Sequence, residues 1–200
     1  MESKYDKDKF EEISPEFYQA EEKPVEDPVE DLLDELSQKF VDTLIDKMMD
    51  FLKVLVGHDL HAYQKPLARR IMESVIINDG EEVTALASRQ SGKSETVADT
   101  VATLMILLPR LAKLYPDLLG KFKDGVWVGL FAPTESQAET LFGRAVTRLT
   151  SERAVDIMGD VEIDDSAVRV GGVTRQLKLK KSGSTITMMT ANPRAKIESK

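Results

Sequence analysis

Eight consecutive residues, Ala87-Ser88-Arg89-Gln90-Ser91-Gly92-Lys93-Ser94, place a glycine, a lysine and a hydroxyl in direct succession. They follow the apolar stretch Val83-Thr84-Ala85-Leu86 and open a helix-like run from Glu95 to Leu108. Strand, Gly-Lys-Ser loop and helix form the context in which a loop cradles phosphate. Backbone N–H groups converge on the anion and the helix N-terminus adds partial positive charge. Lys93 would reach the outer phosphate oxygens of a nucleoside triphosphate such as ATP, and the Ser94 hydroxyl would sit on Mg²⁺. Ser88, Gln90, Ser91, Gly92 and Glu95 complete the expected lining. The usual leading glycine is replaced by Ala87. The alternative is a chance Gly-Lys-Ser at a helix start.

Two further clusters point the same way. Tyr63-Gln64-Lys65-Pro66 lies about 30 residues upstream of Lys93. A glutamine there can make two hydrogen bonds to an adenine edge, and Pro66 suits a helix first turn, which puts Gln64 at the helix mouth. Arg69 and Arg70, one turn on, could stack on the base or meet phosphate; otherwise all three are surface residues. Arg89 is unnecessary for simple phosphate cradling. It could approach the γ-phosphate, where charge develops in the transition state, or else pair structurally with an acid. Finally, Phe131-Ala132-Pro133-Thr134-Glu135-Ser136-Gln137-Ala138 ends a strand and starts a helix, a form common in nucleic-acid translocases. His58 and His61 are the only histidines, too few for a zinc site.

These side chains need a frame of alternating elements. The spacing of Leu32, Leu33, Leu36, Phe40, Leu44, Ile45, Met48, Met49, Leu52 and Leu55 predicts one or two amphipathic helices over 29–56, closed by Gly57. Plain packing accounts for that stripe, though partner docking is also open to it. A helix follows over 61–77, a strand over 83–87 before the loop, and a helix over 94–108 stopped by Pro109. A short helix over 110–119, a buried strand over 126–131, and a helix over 135–149 capped by Thr134 come next. The tail reads as strands at 167–170, 174–180 and 185–189. This order implies an α/β fold with a parallel sheet flanked by helices.

Composition sets the outer bounds. Two hundred residues suit one ordinary domain, and zero Cys excludes disulfides and fits a reducing compartment. The net charge of −8 is uneven: residues 1–60 carry 18 acidic and 7 basic side chains, whereas 61–200 carry 17 and 20. Residues 1–28 therefore read as a disordered acidic arm, 29–57 as a helical extension, and 58–200 as the nucleotide-binding part. The start is acidic rather than signal-like, and no apolar run is long enough to span a bilayer, so a soluble, cytoplasmic protein is expected. No aromatic-interleaved basic patch stands out.

Taken together, the chain resembles the large terminase subunit of tailed phages, the ATP-driven motor that packages DNA. The resemblance is carried by Tyr63-Gln64, by Ser88-Arg89-Gln90-Ser91-Gly92-Lys93-Ser94, by the 131–138 segment and by Gly183-Ser184-Thr185-Ile186. That family tolerates the missing glycine and typically carries the loop arginine. The resemblance covers roughly 58–198 and implies a RecA-like P-loop NTPase domain. It also implies double-stranded DNA as substrate, a ring oligomer in the host cytoplasm, and small-subunit and portal partners. It further implies an apolar strand ending in Asp-Glu, and then a nuclease domain. Neither is found before Lys200; Asp164-Asp165 follows a stretch too polar for a core strand. The expectation is an N-terminal part of the ATPase domain, incomplete at its C-terminus, with little turnover alone. A helicase-like translocase fragment and a non-catalytic nucleotide-binding or assembly module are the alternatives.

Overall fold

The computed structural model describes residues 28–158 and 175–190. Chain contacts divide it at Gln38 and Lys39 into two units; in the first, only the opening turns of a helix are described. Among the described residues six α-helices and three strands run in the order α1 (Pro28–Val56), α2 (Lys65–Ile77), α3 (Lys93–Leu114), α4 (Pro116–Leu119), β1 (Trp127–Ala132), α5 (Glu135–Leu149), α6 (Glu152–Met158), β2 (Arg175–Lys178) and β3 (Thr185–Thr190). A 3₁₀ turn, Gly120–Phe122, follows α4. The class is mixed α/β, mostly helical, with one small sheet. Among the described residues, no helix is long and apolar enough to cross a membrane.

Helix α3 is the axis of the second unit. Its Leu104, Leu108 and Ala112 join the apolar stripes of α1 (residues 41–56) and α2 in one core cluster. Its Ala98, Val101, Ala102, Met105 and Ile106 join α5, Leu130 of β1, and Leu177 and Ile186 of β2 and β3 in a second. A helix covered on both sides reads as apolar nearly all round, and α3 does. The Met and Leu stripe of α1 is thus packing surface over residues 41–56. At the end of α1, Gly57 adopts φ +80°, and the Arg153 guanidinium donates to the Val56 carbonyl at 3.1 Å. The left-handed φ favours glycine at this helix end, and a Cβ there would displace the Arg153 guanidinium from its seat.

Three expectations are corrected. First, α3 runs straight through Pro109 instead of stopping there. Proline has no N–H and costs the Met105 carbonyl its helical donor. The Ser184 hydroxyl supplies the replacement, donating to that carbonyl at 2.8 Å, and its oxygen accepts from the Val126 N–H at 3.2 Å. Second, the sheet is mixed rather than parallel, in the order β1-β3-β2. β1 and β3 pair in parallel, with Leu130 opposite Met188, whereas β2 and β3 are antiparallel. The short reversal through Ser182-Gly183-Ser184 allows only an antiparallel neighbour. Third, no strand forms over 83–87; residues 79–88 lack regular structure and Leu86 is fully exposed. An extended segment needs a ladder partner, and the three-stranded sheet gives it none.

The remaining elements follow the sequence closely. α5 begins after Thr134, whose hydroxyl accepts from the Gln137 N–H at 3.4 Å. The strand expected over 126–131 is present as β1, but it is not buried on both faces: Leu130 points into the core while Trp127 and Phe131 are exposed at 71% and 64%. The acidic arm, the strand at 167–170 and Asp164-Asp165 lie outside the described residues.

Candidate phosphate-binding site

The loop at 88–92 enters α3 through alternating backbone hands. Gln90 has φ +63° and Gly92, the residue preceding the helix, has φ +75°. A weak turn links the Ser91 N–H to the Ser88 carbonyl at 3.4 Å, and the first bond of α3 runs from the Thr96 N–H to the Gly92 carbonyl at 2.9 Å. The amides of Lys93, Ser94 and Glu95 therefore stand at the open end of a 22-residue helix, with no side chain capping it. Successive amides in alternating right- and left-handed conformations form a concavity suited to an anion. The Ser91 hydroxyl is buried there without a hydrogen-bond partner. A buried, orphaned donor beside open amides is what a phosphate oxygen would satisfy.

Gln64 is brought to this loop from 27 residues upstream. It precedes α2 directly, and Pro66 occupies the helix first turn. Its Nε2 donates to the Ser91 carbonyl at 3.3 Å, and its Oε1 accepts from the His61 N–H at 2.9 Å. A Cβ added to Gly92 would lie 2.4 Å from that Nε2 and push the glutamine amide aside, and the backbone hand of φ +75° favours glycine there. Tyr63 is exposed beside Gln64, and its ring stacks on His61 at 5.5 Å.

The other sequence candidates divide. Lys93, Arg89 and Gln90 are solvent-exposed, and among the described residues neither Lys93 nor Arg89 forms an ion pair. Ser94 is half-buried at the start of α3. Arg69 turns instead to Asp46 on α1, in a groove also lined by Asp50, Lys53, Asp59 and Lys65. Arg70 pairs with Asp79 at 2.9 Å and Glu81 at 2.8 Å, fixing the chain as it leaves α2. The Asp79 carboxyl is held below its ordinary range by the Ser74 hydroxyl, then by the Glu81 amide and Arg70.

Glu95 has a role that spacing did not reveal. Arg144 and Arg148 of α5 both reach its carboxylate, each at 3.1 Å, and Arg148 Nε also donates to Asp99 at 2.7 Å. The Asp99 side chain is 1% exposed, and its second oxygen has no partner. Burial pushes its carboxyl up, against the pull of Arg148. The network ties the first two turns of α3 to α5, the helix that leaves the Ala132-Pro133-Thr134 loop. Only the Arg144/Arg148 spacing of four on α5 hinted at it. Among the described residues, no group of three carboxylate or imidazole side chains is assembled to hold a metal ion. Mg²⁺ at this loop would rest on Ser94 and the nucleotide's own phosphates. No family model, curated protein or solved structure matches the chain.

Proposed function

We propose that this chain is the nucleotide-binding front part of an ATP-driven DNA-packaging motor of the large-terminase type, built on a P-loop NTPase fold. The observation that carries the reading is Gln64 seated on the 88–92 loop, with the orphaned Ser91 hydroxyl and the open amides of α3 beside it. An adenine-reading glutamine and a phosphate loop must lie within one nucleotide's reach of each other. Chance motifs 27 residues apart have no reason to meet.

In this reading Lys93 and the amides of Gly92 to Glu95 hold the phosphates, Ser94 meets Mg²⁺, and Gln64 turns its amide toward the base. Arg89, free of carboxylates and at the rim, supplies positive charge where the terminal phosphate lies. Bound magnesium would neutralise phosphate charge. None of the three described strands carries an Asp or Glu. The chain alone is therefore expected to bind ATP and turn it over slowly or not at all. That observation also favours a second reading, a nucleotide-binding module with no motor activity; ATP turnover restored by a complementing carboxylate-bearing chain would exclude it.

The test is binding of ATP-Mg by calorimetry, with the thermal unfolding midpoint followed in parallel. Wild type is expected to bind and to gain stability. Lys93→Ala is expected to lose at least tenfold in affinity at an unchanged ligand-free midpoint, because Lys93 is exposed. Equal affinity in the two proteins, or no binding by wild type, would overturn the proposal.

A further inference from the structure

We infer that β1 is a self-association edge: two copies of this chain pair their β1 strands antiparallel about a two-fold axis at Gly129, joining two small sheets into one. β1 is a terminal strand in the order β1-β3-β2, and among the described residues no strand pairs with its far side. The Val126 carbonyl accepts from the Thr185 N–H at 2.7 Å. Successive residues of a strand turn their amides to opposite sides, so Val126, Val128 and Leu130 face β3, and Trp127, Gly129 and Phe131 turn theirs outward. All three outward residues are exposed, Gly129 with only its backbone to show. The other edge of the sheet is the internal contrast. β2 carries Arg175, Gln176 and Lys178, charges that discourage edge pairing, whereas β1 has neither charge nor proline in its six residues.

The side chains of this edge select the partner. Read outward from Gly129, β1 is a chemical palindrome: Val128 and Leu130 are aliphatic, Trp127 and Phe131 aromatic. A two-fold contact sets a strand against itself in reversed order. Gly129 then meets Gly129 of the second copy, and Trp127 of each copy meets Phe131 of the other. The outward N–H and C=O groups of all three residues find partners, because each falls in a hydrogen-bonded pair of the antiparallel ladder. Aromatic rings directly opposite one another are favourable cross-strand pairs. Gly129 leaves them room at the centre. A Cβ there would lie 2.9 Å from Phe131 Cε2 and 3.3 Å from Met189 Cε, so the Phe131 ring already leans over that position. The flanking charges obey the same symmetry. Lys123 and Glu135, both exposed, stand six residues before and six after Gly129, and among the described residues neither forms an ion pair. Antiparallel pairing turns the Lys123 end of each strand toward the Glu135 end of the other. A strand from an unrelated polypeptide would require none of this symmetry. The inference does not depend on the nucleotide loop.

The experiment is sedimentation velocity of the full chain at low salt, without nucleotide. Wild type is expected to pass from monomer to dimer between about 1 and about 200 µM, because one strand edge makes a small interface. Phe131→Lys should weaken the dimer by roughly tenfold or more by placing a charge on the edge. Its thermal midpoint should stay unchanged, because that side chain is exposed. Lys123→Glu and Glu135→Lys should each weaken association severalfold by setting like charges together. The double variant Lys123→Glu/Glu135→Lys should return it to within about twofold of wild type, a rescue that general destabilisation could not produce. Lys178→Glu, on the opposite edge, should associate as wild type does. Lys93→Ala should also do so while losing ATP, which separates a failure of this edge from a failure of the nucleotide site. A chain that stays monomeric at the highest concentration, as an edge reserved for a different polypeptide would, overturns the inference. So would an undiminished dimer in Phe131→Lys, or no recovery in the double variant.

Discussion

Helix α3 and the segment leading into it are adjacent in the chain and opposite in environment. Thirteen of the 22 residues of α3 are buried, whereas none of residues 79–88 is. α3 draws neighbours from α1, α2, α5 and all three strands; the segment before it is anchored by Arg70 and Ser74 at its start, and Gln64 holds Ser91 in the loop that follows. Beyond its first turn α3 is held from two sides, whereas the loop that leads into it at Gly92 hangs on few contacts. A loop so weakly held can change shape around a ligand without loosening the core.

That contrast sets the order of expected effects. Leu108→Ala, at the centre of α3, should cost about 2–5 kcal/mol in urea unfolding, because its site is enclosed by α1 and α2. A loss under about 1 kcal/mol would mean that α3 is not the frame. Arg148→Ala should cost about 3 kcal/mol, since it strands the buried Asp99 carboxylate and frees Glu95. The pH dependence gives a second handle on the same pair. Burial raises the Asp99 carboxyl in the folded chain, so the native state holds that proton more tightly than the unfolded one. Its contribution to stability should therefore fall as pH rises from the ordinary carboxylate range through the raised value, and Asp99→Asn should flatten that slope. Ser184→Ala should cost about 1–3 kcal/mol by leaving the Met105 carbonyl and the Val126 amide without their partner. Leu86→Ser, in the exposed segment, should change stability by less than about 0.5 kcal/mol. A clear destabilisation there would show that residues 83–87 pack against something after all.

What the sequence disclosed and what it hid follow the same divide. Thr134 names the start of α5 because a cap acts within three residues, and the Met and Leu stripe of α1 is a local periodicity. The helix start after Gly92 was legible because the Gly-Lys-Ser run and the apolar residues behind it are continuous in sequence. Pro109 misled because its compensation, Ser184, lies 75 residues later. Val83 to Leu86 read as a strand because apolar runs carry no record of whether a ladder partner exists. The Asp99–Arg148 pair was invisible for a related reason: it is no motif, and it exists only once distant elements meet. The Gln64–Ser91 contact lies between these cases. Each residue was picked from its own surroundings, but their meeting is a property of the fold.

Trp127 gives the molecule a built-in optical reporter. It is the only tryptophan in the chain, and it stands on the open face of β1 with its indole N–H 3.3 Å from the Thr187 hydroxyl. An indole so exposed emits at long wavelength and is readily reached by iodide or acrylamide. Any body that settles over that face, a second copy or another polypeptide, would shift the emission to the blue and shield it from quencher. The contacts of the loop at Gly92 do not include the ring. One spectrum would thus separate assembly across the sheet from ligand binding elsewhere, without a label.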